Sequence, residues 1–336
     1  MESPPIITIG MPTYNSSWSL QSTLDAIEKL NYPKDRIRIV FVDNKSKDET
    51  LQMLKGFQGR FKGDYESVII ISELSNISKA RNICVINSLG EYVLFIDSDV
   101  IPLPNTIKRM LDLFASNPRV GIVGFPYRYD PADLPHKMDL SKDKVPYVRP
   151  RDFFFTLGCA MVKRELFNEI GVFNEKYDRV EDWEFDMRTS EAGYVVMVDP
   201  TMRPLHLKRV HAETYGTIRQ IIRYCVTFLK GSDRSRAHTT ILLKYKPRWL
   251  INRMIFYLMM VVSIPLAIVG VFMRSIPLVL PLVACYGVVF AYHFPKASGK
   301  WRLVNSILFP LFGMSFAIGM LKEIVKYYLL GRRLKS

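Results

Sequence analysis

The chain has 336 residues and a formal net charge of +14, from 46 Lys and Arg against 32 Asp and Glu. That length indicates two structural units, and the basic balance favours anionic partners such as phosphorylated substrates or acidic lipids. Nucleic acid is not an expected partner, because the sequence has no aromatic RNA-binding motif, zinc-finger spacing or basic zipper region. The four cysteines form no CxxC pair, so they predict neither a zinc site nor a redox site.

Over roughly the first 200 residues, short continuous apolar runs alternate with segments in which apolar residues recur at helical spacing. Continuous apolar runs predict strands at residues 6–11, 37–42, 67–72, 91–96 and 195–198, and regular structure resumes at residues 153–162. Apolar positions at helical spacing predict helices at residues 19–30, 49–57, 78–89, 163–170 and 182–192. Strands and helices in this order predict an α/β fold with a mostly parallel sheet and helices on both of its faces.

Polar residues follow several of these strands. Tyr14 and Asp43 come at the ends of the first two strands, and Asp97-Ser98-Asp99 ends the fourth. Ligands bind at the carboxyl ends of parallel strands, so the topology predicts a site there. Two carboxylates spaced by one residue suit a divalent metal ion that also binds substrate phosphates. The alternative for Asp97-Ser98-Asp99 is an acidic turn that caps a strand.

Further candidate residues each have a structural alternative. Asp43 could accept hydrogen bonds from a nucleotide base, or it could form an Asx-turn. Arg81 could reach a phosphate or a base, or it could lie on a solvated helix face. Asp182 could act as a general base on an acceptor hydroxyl while Trp183 offers a flat face to a sugar. The alternative for Glu181-Asp182 is an acidic first helical turn, which the helix macrodipole favours.

From Met254 onward long stretches carry almost no charge. The windows at residues 254–273, 275–294 and 303–321 each have roughly the 20 residues needed to cross a bilayer. The mixed basic and apolar segment at residues 234–253 predicts an interfacial helix that lies on the membrane. Basic residues before the first window favour a cytosolic position for the preceding domain. The third window is a crossing, a re-entrant segment or an interfacial one, and the side of the C-terminus stays open.

Taken in order, these segments resemble the family-2 glycosyltransferases, which have the Rossmann-like glycosyltransferase-A fold. The similarity runs from Ile6 to about Gly231 of this chain. It rests on Ile9–Asn15, on Val40–Asp43, on Ala80–Asn82 with the run from Gly90 to Asp99, and on Glu181-Asp182. Asn44 departs from the family pattern, in which a second Asp often stands at that position.

The resemblance implies an organisation and a role for each site residue. It implies a catalytic domain at residues 1–232, an interfacial amphipathic linker at 233–253 and transmembrane helices at 254–330. Asp182 is the implied catalytic base, and Mg²⁺ or Mn²⁺ is the implied cofactor, held by Asp99 and Asp97. The implied nucleotide-sugar contacts are Pro12, Tyr14, Asp43, Arg81, Asp97 and Ser98. The implied acceptor and diphosphate contacts are Glu181, Trp183, Gln220, Arg223 and Tyr224.

The run from Gln220 to Tyr224 is similar to the Q-x-x-R-W motif of processive members of the family, such as cellulose and hyaluronan synthases. Tyr224 replaces the Trp of that motif, and three apolar windows are few for a polymer channel. A basic amphipathic helix is the alternative for this run. His206 and His211 lie near positions where related enzymes place groups close to the diphosphate, and either could bind the metal.

The implied function is an inverting, metal-dependent transfer of a hexose, with mannose favoured, to a lipid-linked or glycolipid acceptor. GDP-mannose is the favoured donor and UDP-glucose the other, because the layout is similar to that of dolichol-phosphate-mannose synthases. One alternative is a polyprenyl- or dolichyl-phosphate hexosyltransferase. An alternative of another class is a non-catalytic membrane scaffold that binds nucleotide sugar. Metal-dependent hydrolysis of the donor by the purified protein separates the enzyme from the scaffold.

Overall fold

A computed structural model describes residues 3–129, 145–148, 156–177, 180–207, 233–245, 248–274, 276–293, 314, 317–325 and 327–328. The described residues fall into two compact units, one made by residues up to 207 and one by residues from 233 onward. The first unit is α/β and the second is helical. Both classes agree with the sequence-based prediction.

The described part of the first unit has eleven strands and six longer helices. The strands are β1 (Ile7–Thr13), β2 (Ile37–Asp43), β3 (Ser67–Ser72), β4 (Tyr92–Ile96), β5 (Val100–Ile101), β6 (Val120–Gly124), β7 (Arg128–Tyr129), β8 (Tyr147–Val148), β9 (Cys159–Lys163), β10 (Val195–Val198) and β11 (Leu205–His206). The helices are α1 (Ser17–Glu28), α2 (Thr50–Arg60), α3 (Ile77–Ile86), α4 (Thr106–Ser116), α5 (Arg164–Ile170) and α6 (Glu181–Glu191). The predicted bounds of β3 and β10 are confirmed, whereas α4 and β6 are additional to the predicted elements.

The main sheet has eight strands in the order β3-β2-β1-β4-β9-β6-β10-β8. β1 pairs in parallel with both β2 and β4, and β10 pairs in parallel with β6. β9 is antiparallel to its neighbours β4 and β6, and β8 is antiparallel to β10. Six strands therefore point the same way, which confirms a mostly parallel sheet. Their carboxyl ends share one edge, where ligands bind in such sheets.

Helices cover both faces of this sheet, and the side chains of each strand alternate between them. In β2, Ile39 and Phe41 pack into the hydrophobic cluster of one face, and Val40 and Val42 into the cluster of the other. All four side chains are fully buried. A strand that is buried on both faces reads as a continuous apolar run rather than an alternating one, which is why the sequence indicates these strands so clearly.

A second sheet of three short strands lies beyond β4, in the order β5-β11-β7. β11 pairs antiparallel with β5 and parallel with β7, so that His206 stands opposite Val100 and Tyr129. The amide of Leu207 also donates to the carbonyl of Asp99 over 2.7 Å. This small sheet brings a histidine from late in the unit next to the turn that follows β4.

The described part of the second unit contains the helices α7 (Asp233–Tyr245), α8 (Arg248–Phe272) and α9 (Ile276–His293). Among the described residues, one stretch, Leu250–Val269 of α8, is long and apolar enough to cross a membrane by length and composition. The apolar stretch of α9, Ile276–Val288, is shorter. The first two predicted windows thus correspond to α8 and α9, and most of the third lies outside the described residues.

Candidate active site

β1 separates from β4 near the carboxyl edge of the sheet. β1 stays paired with β2 as far as Thr13, but its pairing with β4 ends at Gly10. Pro12 follows that point, and proline has no backbone N–H to offer to a ladder. Tyr14, directly after the strand, is 56% exposed. The predicted contacts Pro12 and Tyr14 therefore stand at the place where β1 leaves the sheet.

The loop after β2 is organised by Asp43. Its carboxylate is fully buried and accepts hydrogen bonds from the amide of Ser46 and, at 2.8 Å, from the hydroxyl of Ser72. Ser46 in turn accepts from the amide of Asn15, which joins this loop to the one after β1. The structural alternative for Asp43, an Asx-type turn, is thus present. Its contact with a nucleotide base stays a prediction.

The Asp97-Ser98-Asp99 turn is fixed to the start of α1. The backbone carbonyl of Ser98 accepts hydrogen bonds from the hydroxyls of Ser19 and Thr23, each at 3.0 Å. The side-chain hydroxyl of Ser98 lies 2.7 Å from the hydroxyl of Ser16. These contacts hold the direction in which the two aspartates project. The sequence gives Ser98 a role but does not indicate its partners on α1, because they lie about 80 residues away.

Asp97 packs directly on a glycine. Its amide donates to the carbonyl of Gly158 over 2.9 Å, and its carboxyl group covers the face of Gly158 where a Cβ would stand. The hydroxyl of Tyr127 occupies the same space. Only a residue without a side chain leaves room for both groups, so Gly158 is a site residue that sequence reasoning missed.

Asp99 is the residue of the turn that best fits a divalent metal ion. Its Oδ2 lies 3.3 Å from Nε2 of His206, and both side chains are partly exposed. The carboxylate oxygen suits Mg²⁺ or Mn²⁺, and the imidazole nitrogen beside it could serve as a further ligand of a divalent ion. Within the described residues no three His, Cys, Asp or Glu side chains converge on one point. The residues therefore fit an ion that takes one or two protein ligands and completes its shell with substrate phosphates and water.

Arg81 lies at the centre of the site, and its burial excludes the alternative of a solvated helix face. Its guanidinium is buried, bonded to Glu181 and 3.5 Å from Oδ1 of Asp97. It also lies against the rings of Phe95 and Phe173, at 5.8 Å from each centroid. A buried charge needs such partners. Contact of Arg81 with a nucleotide stays a prediction, since the structure shows only its two carboxylate partners.

The acidic pair opens α6, as the alternative of an acidic first turn requires. Asp182 is half-buried, and its carboxylate accepts from the amide of Trp183 over 2.9 Å. Burial and the neighbouring charge of Glu181 raise the pKa of Asp182 to about 8, and Arg81 opposes part of that rise. Val180, just before the helix, has φ of +63°, an unusual conformation for a β-branched residue. The acidic turn therefore begins directly after a residue in the left-handed backbone conformation.

The structure brings most of the predicted residues to one edge of the sheet. One group lies at or directly after the carboxyl ends of β1, β2 and β4: Pro12, Tyr14, Asp43, Asp97, Ser98 and Asp99. The other group comes from α3 and α6: Arg81, Glu181, Asp182 and Trp183. Gln220, Arg223, Tyr224 and His211 lie outside the described residues. Besides Gly158, the sequence reasoning missed Tyr127, whose ring lies 4.9 Å from that of His206. No local motif marks Tyr127.

Solved structures share this fold. The mannosyltransferase PcManGT from Pyrobaculum calidifontis, in complex with GDP-Man and Mn²⁺, matches with a TM-score of 0.60 over 95% of this chain and 88% of its own, at 18% identity. A structure of S. aureus TarS 1-349 matches with a TM-score of 0.53 over 97% of this chain and 92% of its own, also at 18% identity. The protein therefore has the Rossmann-like glycosyltransferase-A fold. At such low identity these likenesses concern the fold alone.

Sequence comparison identifies the family. The family model described as Glycosyl transferase family 2 matches residues 8–171. The model described as Glycosyl transferase family group 2 matches residues 92–294, and this second match covers more than half of the chain. The chain belongs to the family-2 glycosyltransferases.

Curated relatives match this chain over part of their own length. Glycosyltransferase AglE of Haloferax volcanii is 26% identical over 203 residues, which cover 56% of this chain and 63% of AglE. The poly(ribitol-phosphate) beta-glucosyltransferase of Bacillus spizizenii is 35% identical over 96 residues, which cover 28% of this chain and 14% of that protein. The chain thus spans less than two thirds of the length of either relative.

Proposed function

We propose that the protein is an inverting, metal-dependent hexosyltransferase that uses a nucleotide-sugar donor and a membrane-embedded lipid-linked or glycolipid acceptor. The observation that carries this proposal is the position of Arg81. One guanidinium contacts Asp97, at the end of β4, and Glu181, next to Asp182 on α6. A donor-side carboxylate and the candidate base are therefore held around one buried guanidinium, as a reaction between donor and acceptor requires.

In the proposed reaction the acceptor hydroxyl loses its proton to Asp182 while its oxygen attacks the anomeric carbon. The bond from that carbon to the diphosphate breaks, and the nucleoside diphosphate leaves with the electron pair. Attack from the face opposite the leaving group inverts the configuration. A carboxyl with a pKa near 8 is a stronger base than an ordinary aspartate, which suits a hydroxyl acceptor. An ionised dolichyl-phosphate acceptor would have no need of it, so that alternative is less favoured.

Asp99 and Asp97 are the proposed metal ligands, and His206 is a further one. Mg²⁺ or Mn²⁺ bound there would neutralise charge on the departing diphosphate. Pro12, Tyr14, Asp43, Arg81 and Ser98 are the proposed nucleotide-sugar contacts, and Glu181, Trp183, Gln220, Arg223 and Tyr224 the proposed acceptor and diphosphate contacts. GDP-mannose is the favoured donor, in line with the fold neighbour that was solved with GDP-Man, and UDP-glucose is the other.

The proposed organisation is a catalytic domain at residues 1–232 on the cytosolic side, an interfacial linker at 233–253 and membrane helices at 254–330. Support comes from α8, which has large apolar side chains open to the surroundings. Met259, Val262 and Phe272 are 59%, 61% and 84% exposed. A row of exposed apolar side chains on a helix long enough to span a bilayer is suited to lipid.

The test is a donor screen on the detergent-solubilised protein with Mg²⁺ or Mn²⁺, in which release of GDP or UDP is measured. Asp182→Asn should abolish transfer while nucleotide affinity stays unchanged. Asp112→Asn, on the exposed side of α4, is the matched control and should keep wild-type turnover. Wild-type turnover in Asp182→Asn would refute the base. Failure of every donor, even with membrane lipid extract, would favour the non-catalytic scaffold.

A further inference from the structure

The segment that leads into α6, residues 170–177, has an unusual set of hydrogen bonds. Arg188 on α6 donates to the carbonyls of Ile170, Gly171 and Val172, over 2.5 to 3.1 Å. The same guanidinium is held by Glu184 one turn earlier on the helix, at 2.8 to 3.1 Å. Three successive carbonyls at the end of α5 are thus bound to the body of α6 by a single side chain.

Side chains of α3 bind the rest of this segment. Asn82 donates to the carbonyl of Phe173 over 2.9 Å and accepts from the amide of the same residue over 2.8 Å. Ser78 donates to the carbonyl of Tyr177 over 2.5 Å. Both side chains are buried, where a hydrogen bond to the backbone is costly to lose. Asn76, at the start of α3, donates to the carbonyl of Glu175 over 2.6 Å.

We infer that Ser78, Asn82 and Arg188 are positioning residues for Asp182, and we name them the carbonyl clamp. Four residues separate Tyr177, whose carbonyl Ser78 holds, from Asp182 in sequence order, and two of these, 178–179, lie outside the described residues. The clamp fixes the backbone before the acidic turn on both sides, through α3 and through α6. None of its three side chains touches the metal-binding aspartates, so they act through the position of the base.

The reason for the clamp lies in the arrangement of α3. Ser78, Arg81 and Asn82 stand at helical spacing and share one face of the helix. Arg81 contacts Asp97, on the donor side, while its two neighbours bind the segment that precedes the base. One helix face therefore sets the distance between the donor-binding turn and Asp182. This inference rests on the proposed role of Asp182 as the base.

The test uses the full chain in detergent and compares Ser78→Ala and Asn82→Ala with two matched controls on the same stretch. Ser88 donates to the carbonyl of Val85 over 2.6 Å, and Asn87 to that of Ile83 over 2.8 Å. Ser88→Ala and Asn87→Ala thus remove equivalent local bonds without touching residues 170–177. The readouts are GDP or UDP release from GDP-mannose or UDP-glucose with Mn²⁺, the Kd for each diphosphate with Mn²⁺, and hydrogen exchange of residues 170–191.

We expect Ser78→Ala and Asn82→Ala to lower kcat about 100-fold, as a displacement of about 1 Å at a catalytic group does. The diphosphate Kd should change less than about twofold, and amide exchange should accelerate in residues 170–177 and at the start of α6. Arg188→Lys, which keeps the charge but not the fork, should act in the same way from the α6 side. It also serves as the second variant if Asn82→Ala does not fold.

Two results would overturn the inference by different routes. Wild-type kcat in the clamp variants, in an enzyme that Asp182→Asn inactivates, would overturn the clamp alone. Wild-type kcat in Asp182→Asn would overturn the base and with it the catalytic role of the clamp. An equal loss of kcat in Ser88→Ala and Asn87→Ala would reduce the clamp to a general effect on stability and would also overturn it.

Discussion

Gly158→Ala is the sharpest perturbation that the site offers, because it adds one methyl group at a position where two functional groups already meet. The new Cβ would stand 2.9 Å from Cγ of Asp97, and one carboxylate oxygen and the hydroxyl of Tyr127 would be closer still. Carbon atoms in contact normally lie roughly 3.5–4.0 Å apart, so the carboxyl group must move by about 1 Å.

The backbone cannot relieve this overlap. The carbonyl of Gly158 accepts from the amide of Asp97, and the next residue, Cys159, is in register with Ile96 in the β4–β9 pair. The side chain of Asp97 must therefore rotate, which breaks its 3.5 Å contact with Arg81. A shift of about 1 Å at a catalytic site costs about 100-fold in rate. The free energy of unfolding should fall by only about 1–3 kcal/mol, as overpacking does.

The assay is metal-dependent release of GDP or UDP, with the free energy of unfolding measured in urea on the same preparations. Gly59→Ala is the control, because no atom lies within 4 Å of the position where its Cβ would stand. A Gly158→Ala variant that keeps more than about half of the wild-type kcat would refute this reasoning, since Asp97 would then tolerate displacement.

Three further predictions concern the ion pair of Arg81, the titration of Asp182 and two glycines of α2. Arg81→Met leaves the buried carboxylate of Glu181 without its partner. The free energy of unfolding, measured by urea denaturation, should therefore fall by about 3–5 kcal/mol. A loss below about 1 kcal/mol would contradict the ion pair. Because its pKa is raised to about 8, Asp182 is protonated at neutral pH and must lose that proton to act as a base. The value of kcat/KM should therefore rise with pH and level off above about 8. A flat profile from about pH 6 to 9 would exclude this role. Gly56→Ala and Gly59→Ala, on the exposed face of α2, should each raise the free energy of unfolding by about 0.5–1 kcal/mol, and any loss would argue against a helix there.

The strands were the most predictable part of the fold. β1, β2 and β4 bury side chains on both faces, so each appears in the sequence as a mostly apolar run that polar residues follow. α4 has an equally clear spacing, with Ile107, Met110, Leu113 and Phe114 buried, and it was available to the same reasoning. The antiparallel direction of β9 was not predictable, because a strand's direction depends on how the chain enters it and not on its side chains.

The candidate site also has a part that the sequence predicts and a part that it does not. Residues that follow strands, such as Asp43 and Asp97, were predictable from topology, because parallel strands collect their carboxyl ends at one edge. The contact of Arg81 with Glu181 and the need for Gly158 were not, since they depend on contacts between residues about 100 and about 60 positions apart. Spacing along the chain carries no signal for such contacts.

The alternative of a solvated face for Arg81 fails for a physical reason that concerns α3 as a whole. Ser78, Arg81 and Asn82 are polar at helical spacing, a pattern that ordinarily marks a solvated face opposite an apolar one. Here that face is covered by residues 173–177 and by Glu181. Each polar group has a specific partner: a carbonyl for Ser78, a backbone amide and carbonyl for Asn82, a carboxylate for Arg81. A polar helix face that is short of Lys and Glu and rich in Ser, Asn and Arg is well suited to burial, since small side chains can bind backbone and arginine can bind several groups at once. The composition of such a face, and not its polarity alone, is therefore the signal that distinguishes a buried polar contact surface from a solvated one.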